Sequence, residues 1–310
     1  MTSCRVCGEK KENMHILSFP RWNSEKFLQC PKCQSLSLNL IPSEQEIHDA
    51  HGLGVYHGKD RKKFCSPLEK MILLFRRKRA HWLQKHLPKN ARILDVGCGR
   101  GQMAKILTKS GYLVSVTELS ENHLGNLKNS NVEVFLGPTA LENLSGQTFN
   151  AISFFHVLEH FDRPFESLSR AKNLLTKDGQ IFLEIPFFEG WGKYFKEAWF
   201  HLEPSVHLVH CSKKGLELMI QKLGLKMVES SYFSLEFSGP ALFLSIWNLI
   251  FPTFRLYDKS LSIKKPSPFR HFYTLAIFMG GLLCTPLAFL LSLFKKGDII
   301  RTRLTIDSPN

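Results

Sequence analysis

The middle of the chain alternates short apolar runs with amphipathic segments, which is the pattern of a parallel sheet covered by helices. The apolar run at 93–96 ends at Gly97, Gly99 and Gly101, and an amphipathic segment then leads to a second apolar run that ends at Glu118. Glycine has no Cβ, so the backbone can turn tightly there and approach a ligand closely. The pattern therefore predicts an α/β fold with a ligand site at the end of its first strand.

A basic helix precedes this region. Ser66, Pro67 and Glu69 form a helix start, and Pro88 marks the end of the helix. The run RRKR at 76–79 interrupts the apolar flank of this helix with dense positive charge. Such a run is either a solvated face or a surface that contacts phosphate or an acidic membrane.

Two long apolar runs, at 237–254 and 271–294, follow the alternating region and are joined by a basic connector. The second run has no charged residue from 272 to 294, which is long enough to span the ~30 Å core of a bilayer. Pro252 in the first run, and Gly280, Gly281 and Pro286 in the second, are helix breakers. Two full spans would also carry the basic connector across the membrane, against the positive-inside rule. We therefore expect two shallow or re-entrant hairpins, with a soluble helical cap, a dimer interface or a two-span hairpin as alternatives.

Composition adds a strong positive charge to this picture. The 310 residues include 41 Lys and Arg against 27 Asp and Glu, for a formal charge of +14. This surplus suits nucleic acid, phosphorylated substrates or acidic lipid headgroups. The first residues contain no apolar stretch of the secretory type, so a cytoplasmic location is expected.

Four cysteines near the start of the chain have the spacing of a metal site. Cys4 and Cys7 form one CxxC pair, and Cys30 and Cys33 form a second. Two such pairs complete a tetrahedral shell of four thiolates, which leaves no open position for water. The spacing predicts a structural zinc, with free dithiols or a redox pair as the alternative.

The motif LDVGCGRG at 94–101 resembles the first motif of class I S-adenosylmethionine-dependent methyltransferases. The segment FNAISFFHVLEHFDRPFESLSRAKNLLTKDGQIFLEIP at 149–186 resembles later strands and helices of the same family, of the type common in quinone and glycan pathways. The resemblance covers residues 91 to about 230. It implies a Rossmann-like, seven-stranded sheet with helices on both faces, closed by an antiparallel last strand at 297–308, so that 238–296 is an insert between the last two strands.

The resemblance also implies where S-adenosylmethionine would bind. The implied cofactor residues follow the first three strands of the sheet, and they are Asp95, Gly97, Gly99, Gly101, Glu118, Thr139 and Ala140. Glu118 would hold the ribose hydroxyls. The chain departs from the family pattern at Pro138 and Asn150, where Asp is usual, and a backbone carbonyl or Glu142 would then take over the contact with adenine.

Two histidines are candidate general bases for removing a proton from the methyl acceptor. His156 follows the fourth strand, where the resemblance places the methyl group, and His207 lies in a long aromatic segment that reads as a substrate lid. A packing or capping role is the alternative for each histidine. A metal site formed by His201, His207 and His210 is a further alternative.

The sequence therefore predicts four parts: a zinc-ribbon module at 1–45, a linker and basic helix at 46–90, a methyltransferase domain at 91–237 plus 297–308, and an apolar, membrane-associating insert at 238–296. The main hypothesis is methyl transfer to a lipid-linked glycan or polyprenyl-type acceptor at the cytoplasmic face of a membrane. The alternative is a soluble cytoplasmic methyltransferase of a nucleotide-sugar, phenol or quinone. A nucleic-acid-binding zinc ribbon with a scaffold sheet domain is a third hypothesis, which the apolar insert disfavours.

Overall fold

The structure is a computed structural model that describes residues 3–19, 26–40, 66–121, 124, 127, 130–204, 206–257 and 268–307. Residues 46–65 of the predicted linker and residues 258–267 of the basic connector lie outside these ranges. The strands are β1 (His15–Ser18), β2 (Lys26–Gln29), β3 (Leu36–Leu38), β4 (Arg92–Val96), β5 (Leu113–Glu118), β6 (Val132–Leu136), β7 (Phe149–Phe155), β8 (Leu175–Pro186), β9 (Val209–His210), β10 (Leu225–Ser231) and β11 (Ile299–Ile306). The longer helices are α1 (Ser66–Gln84), α2 (Gln102–Lys109), α3 (Pro164–Asn173), α4 (Lys213–Lys222), α5 (Ser238–Ile250) and α6 (Pro268–Leu293).

Seven strands form one sheet in the order β10-β11-β8-β7-β4-β5-β6, which confirms the predicted seven-stranded α/β architecture. β11 runs antiparallel to both neighbours, β8 and β10, while β7, β4, β5 and β6 pair in parallel. The strand expected at 225–237 ends at Ser231. The carboxyl ends of the parallel strands meet at one edge, where ligands of such sheets bind.

Helices cover both faces of this sheet, because its strands are apolar on both sides. On one face, Leu83 of α1 and Leu107 of α2 pack in one buried cluster with Phe182 of β8. On the other face, Leu168 of α3 and Met219 of α4 belong to a second cluster that continues into the cysteine-containing module.

The cysteine-containing module forms a second, four-stranded sheet, and one strand of that sheet comes from a later part of the chain. β1, β2 and β3 pair antiparallel, and β9 adds a fourth strand through the pairs Leu36–His210 and Ser37–Val209. Lys222 of α4 donates to the carbonyl of Cys7 at 2.8 Å. The module is thereby fixed to the segment that leads from the predicted lid into α4.

Only part of the basic run of α1 matches the expectation of a phosphate-facing or solvated surface. Arg79 is 5% exposed and its Nη2 lies 2.5 Å from Glu184 Oε1, while Arg76 Nη1 lies 2.7 Å from Glu236 Oε2. Arg77 and Lys78 are exposed. Arg79 therefore fixes α1 to β8, because a buried guanidinium must be paired with an opposite charge. Arg76 fixes α1 to the segment between β10 and α5.

The predicted insert contains α5 and α6, which pack against each other as a hairpin, and its second run does not show the expected break. α6 continues through Gly280, Gly281 and Pro286. A Cβ on Gly281 would lie 2.9 Å from Pro240 Cγ, and one on Gly239 would lie 2.4 Å from Gly281 O. These glycines let the two helices approach closely, as small residues do between membrane helices. The segment Phe272–Leu293 of α6 has a mean hydropathy of 2.1 and is long and apolar enough to cross a membrane.

We expect Glu184→Gln to lower the free energy of unfolding by about 3–5 kcal/mol, because it removes the carboxylate that pairs with Arg301 and the nearer of the two carboxylates that pair with the buried Arg79. The matched control is Glu142→Gln, because Glu142 pairs with Arg170 in a half-exposed salt bridge. That change should cost about 0–1 kcal/mol. Urea denaturation of both variants provides the comparison, and equal losses would contradict the inward role of Arg79.

Candidate active site

The loop between β4 and α2 forms an open cradle at the carboxyl edge of the sheet. Gly97, Gly99 and Gly101 have φ values of 65°, 54° and 66°, in the left-handed region that favours glycine. A Cβ on Gly97 would lie 2.3 Å from Val157 Cγ2, whereas a Cβ on Gly99 would meet nothing within 4 Å. The loop is thus packed beneath Gly97 and open above Gly99, which leaves room for a ligand to reach the backbone.

Two carboxylates flank this loop. Glu118, at the end of β5, accepts a hydrogen bond from the amide of Gly99 at 2.7 Å and another from Leu119 at 2.8 Å. Asp95, at the end of β4, is 4% exposed and accepts from Ser153 Oγ at 2.8 Å. Burial raises the pKa of Asp95 to about 7, and Ser153 partly opposes this shift. The structure thus places Asp95 and Glu118, the two carboxylates among the predicted cofactor residues, beside the glycine loop.

The residues named for the predicted adenine site, and the two named for departures from the family pattern near it, do not all lie at the carboxyl edge of the sheet. Thr139 is exposed and Ala140 is buried in the turn after β6, on the same edge of the sheet. Glu142 pairs with Arg170 on the surface. Asn150 accepts from the amide of Arg92 at 2.9 Å, at the opposite ends of β7 and β4. Asn150 therefore links two strands and does not approach the glycine loop.

His156 lies directly after β7 in a strained conformation. Its φ is 55°, which is rare for a residue with a side chain and is typically found at functional sites. Its amide donates to the carbonyl of Glu184 at 2.8 Å, and its Nε2 lies 2.9 Å from Glu184 Oε1. Burial would lower the pKa of His156, but Glu159 and Glu184 outweigh it and raise this pKa.

Glu184 holds this part of the site together, and the sequence interpretation missed it. The residue is fully buried in β8 and contacts Arg79, Arg301 and His156. Burial favours the neutral acid, but these partners, Arg79 first, hold the pKa of Glu184 well below its usual range. A lone glutamate within the apolar strand sequence IFLEIP was the available signal, because a buried carboxylate needs a charged partner.

Glu159 stands between the two predicted bases. Its Oε1 lies 3.7 Å from His156 Nδ1, and its carboxylate lies within 4.8 Å of ring nitrogens of His160 and His207. Glu159 is 4% exposed, and neither oxygen accepts a hydrogen bond from the described residues. His160 Nδ1 lies 2.9 Å from the carbonyl of Val206. Glu159, His160 and His207 are thus a set of side chains with the geometry to hold a cation.

His207 differs from His156 in its surroundings. Its Nδ1 lies 2.6 Å from the carbonyl of His201, and burial together with His160 and His210 lowers the pKa of His207 well below its usual range. His201 instead contacts Asp298 at 3.2 Å, and burial lowers the pKa of His210 to about 3. The alternative metal set of His201, His207 and His210 is therefore not assembled, because His201 is directed to Asp298.

The four cysteines converge within one small volume. Their sulfur atoms lie within 4.8 Å of one another, with 3.6 Å between Cys4 and Cys33 and 3.5 Å between Cys7 and Cys30. Sulfur atoms bound to one tetrahedral zinc at ~2.3 Å would be ~3.8 Å apart. All four residues are buried, so the donor set and its spacing fit a structural zinc.

Comparison with known proteins relates the sheet and its glycine loop to methyltransferases. Residues 68–230 match the family model of a methyltransferase domain. The chain is 26% identical over 131 residues to a ubiquinone biosynthesis O-methyltransferase of Azotobacter vinelandii, covering 40% of this chain and 55% of that protein. It is 26% identical over 185 residues to the protein of the same description from Coxiella burnetii, covering 57% of this chain and 76% of that protein.

The chain is also 31% identical over 99 residues to a ubiquinone biosynthesis O-methyltransferase of Dechloromonas aromatica, and this match covers 30% of this chain and 43% of that protein. The chain thus spans about half the length of several curated relatives that it matches. The solved structure of a candidate sarcosine dimethylglycine methyltransferase from Galdieria sulphuraria superposes with a TM-score of 0.50 at 12% identity, covering 86% of this chain and 99% of that one. This likeness concerns the fold.

Proposed function

The chain belongs to the methyltransferase-domain family, and from this we propose that it transfers the methyl group of S-adenosylmethionine to an apolar acceptor near a membrane. The observation that carries the proposal is the glycine loop at the carboxyl edge of the sheet, with open space above Gly99 and the Glu118 carboxylate on its amide. Bound S-adenosylmethionine would supply an electrophilic methyl on a sulfonium.

The residues proposed to hold the cofactor are those named from the sequence. Gly97, Gly99 and Gly101 supply backbone that a ligand can approach without Cβ clashes. Glu118 would exchange its contact with the Gly99 amide for the ribose hydroxyls. Asp95 would lie beside the methionine end, and Thr139 and Ala140 beside the adenine.

His156 is the better supported of the two candidate bases. Its Nε2 contacts the ionised Glu184, so this carboxylate would stabilise the positive imidazole that forms after proton removal. Its Nδ1 lies 3.7 Å from Glu159 Oε1, longer than a hydrogen bond, and can accept a proton. His207 stays the second candidate, and its contact with the His201 carbonyl and its position beside β9 favour a supporting role.

The hairpin of α5 and α6 supports an acceptor found at a membrane. Only 17% of the apolar segment of α6 is buried within the protein, and its exposed side chains include Phe272, Leu275, Leu282, Leu283 and Leu290. Leaving such a surface in water is unfavourable, and a patch of this kind typically marks a membrane or protein contact. We propose that it holds the enzyme at the cytoplasmic face, where lipid-linked glycans or polyprenyl molecules are available.

A quinone-type phenol is the second candidate acceptor. The relatives named as ubiquinone biosynthesis O-methyltransferases favour it. Both acceptors are apolar molecules that a membrane-bound enzyme would meet, and a phenol would require a base such as His156 at neutral pH.

The central experiment supplies cofactor with a labelled methyl group to the purified protein and an extract of the source cell. We expect label in the organic phase, because the proposed acceptor is a lipid. Gly97→Ala should abolish labelling, since its Cβ would collide with Val157 after β7 and displace the glycine loop. Gly146→Ala is the matched control, with a φ of 87° but open space around it. Label found only in the aqueous phase would contradict the lipid acceptor, and none in either phase would contradict methyl transfer.

His156→Gln should reduce the rate of methyl transfer by about 10²–10⁴-fold and leave the affinity for S-adenosylhomocysteine unchanged. In the wild type, the rate should rise with pH through the raised pKa of His156, because only the neutral imidazole accepts a proton. Glu159→Gln should move this rise to lower pH, since Glu159 raises the pKa. A pH profile with no shift in the Glu159 variant would exclude His156 as the base.

The four cysteines are proposed to bind one structural zinc ion. Elemental analysis should find about one zinc per chain, and Cys4→Ser should remove it and unfold the module, because metal binding supplies its folding free energy. Cys284→Ser, in α6, is the control and should keep the zinc. Full zinc content in the Cys4 variant would refute the assignment.

A further inference from the structure

A cleft opens between α1 and the edge formed by β10 and β11. It is a cavity of about 300 Å³, at the lower end of the range for ligand pockets. Residues with cationic, imidazole or hydroxyl side chains line it from all three elements, and they are Lys78, His81, Lys85, Ser230, Ser231 and Arg301. The indole of Trp82 forms one wall, with the Arg301 guanidinium 5.3 Å from its ring centre.

The only acidic residue that lines this cleft among the described residues, Glu229, already has partners. Its carboxylate contacts Trp82 Nε1, and its Oε2 lies 3.6 Å from Arg303 Nε and 3.7 Å from His86 Nε2. Neither Lys78 nor Lys85 forms an ion pair with any residue that the structure describes. The cleft therefore carries a surplus of positive charge together with hydroxyl donors, which is the chemistry that binds phosphate oxygens.

The cleft lies in line with the candidate active site. Ser231 pairs with Arg301 across β10 and β11, and Arg301 pairs with Glu184 across β11 and β8. Arg301 also donates through its side chain to Glu184, which contacts His156. One row of residues thus runs from the cleft across the sheet edge to the proposed base.

The same cleft lies at the root of the apolar hairpin. β10 ends at Ser231, shortly before α5 begins at Ser238, and β11 begins at Ile299, shortly after α6 ends at Leu293. A molecule with a charged group in the cleft could therefore extend an apolar chain along the exposed side chains of α5 and α6. A phosphate with a long hydrocarbon chain matches both surfaces.

We propose that this cleft binds the phosphate group of a lipid-linked acceptor and sets the distance between that phosphate and the atom that receives the methyl group. The proposal rests on the proposed function and narrows it, because a phosphate-free quinone-type phenol would not use these cationic groups. Arg301 is then a positioning residue that joins the phosphate subsite to Glu184.

The test uses inorganic pyrophosphate as the probe, measured by calorimetry on the full-length protein. We expect saturable binding that weakens about tenfold or more in the Lys78→Ala/Lys85→Ala variant, because charge-assisted hydrogen bonds are lost. Arg77→Ala is the matched control, since Arg77 is an exposed cation on the same helix that does not line the cleft. No saturable binding, or equal weakening in the Arg77 variant, would overturn the proposal.

Two further measurements separate the possible sources of the phosphate. Pyrophosphate should inhibit labelling of the organic-phase product by raising KM, while the protein stays on phosphatidylglycerol vesicles. Release from these vesicles without inhibition would mean a site for bulk headgroups, and this would overturn the acceptor assignment. Binding of S-adenosylhomocysteine should be unchanged in all variants, and its absence from the wild type would count against methyl transfer itself.

Discussion

A buried carboxylate organises the edge of the sheet where the chemistry would occur. Glu184 is fully buried at the carboxyl end of β8 and meets Arg79 from α1, Arg301 from β11 and His156 from the loop after β7. A single ionised group in that position is tolerated only when its partners surround it. Three elements far apart in the chain are therefore held in one arrangement, and the strained backbone of His156 is held with them.

The second organising feature is the attachment of the cysteine-containing module to the segment before α4. Ser212 caps α4 by accepting from Gly215 at 2.8 Å, and its hydroxyl also contacts the carbonyl of Cys33. Arg5 of the module pairs with Asp162 at 2.7 Å, just after the turn that carries Glu159 and His160. Any metal bound at the cysteines would thus stiffen the turn that carries Glu159 and His160 and the segment that follows His207.

Sequence patterns sufficed where the physical signal is local. The glycine loop and the two CxxC pairs follow from spacing that a few neighbouring residues determine, whereas the seven-stranded sheet with its antiparallel last strand was implied by the family resemblance. The burial of Arg79 could not be predicted in this way, because a run such as RRKR is typical of a solvated surface and its partner Glu184 is 105 residues away in the chain. β9 is only two residues long and gives no periodic signal. Gly280 and Gly281 were interpreted as breaks, whereas helix packing against Pro240 and Phe243 explains them.

The central claim is that S-adenosylmethionine binds at the glycine loop with its reactive end towards His156. A crystal structure of the protein with S-adenosylhomocysteine tests this most directly. We expect the ribose hydroxyls on Glu118 and the sulfur atom facing the His156 side of the sheet edge. A ligand bound elsewhere, or one whose sulfur faces away from His156 and Glu184, would contradict the claim.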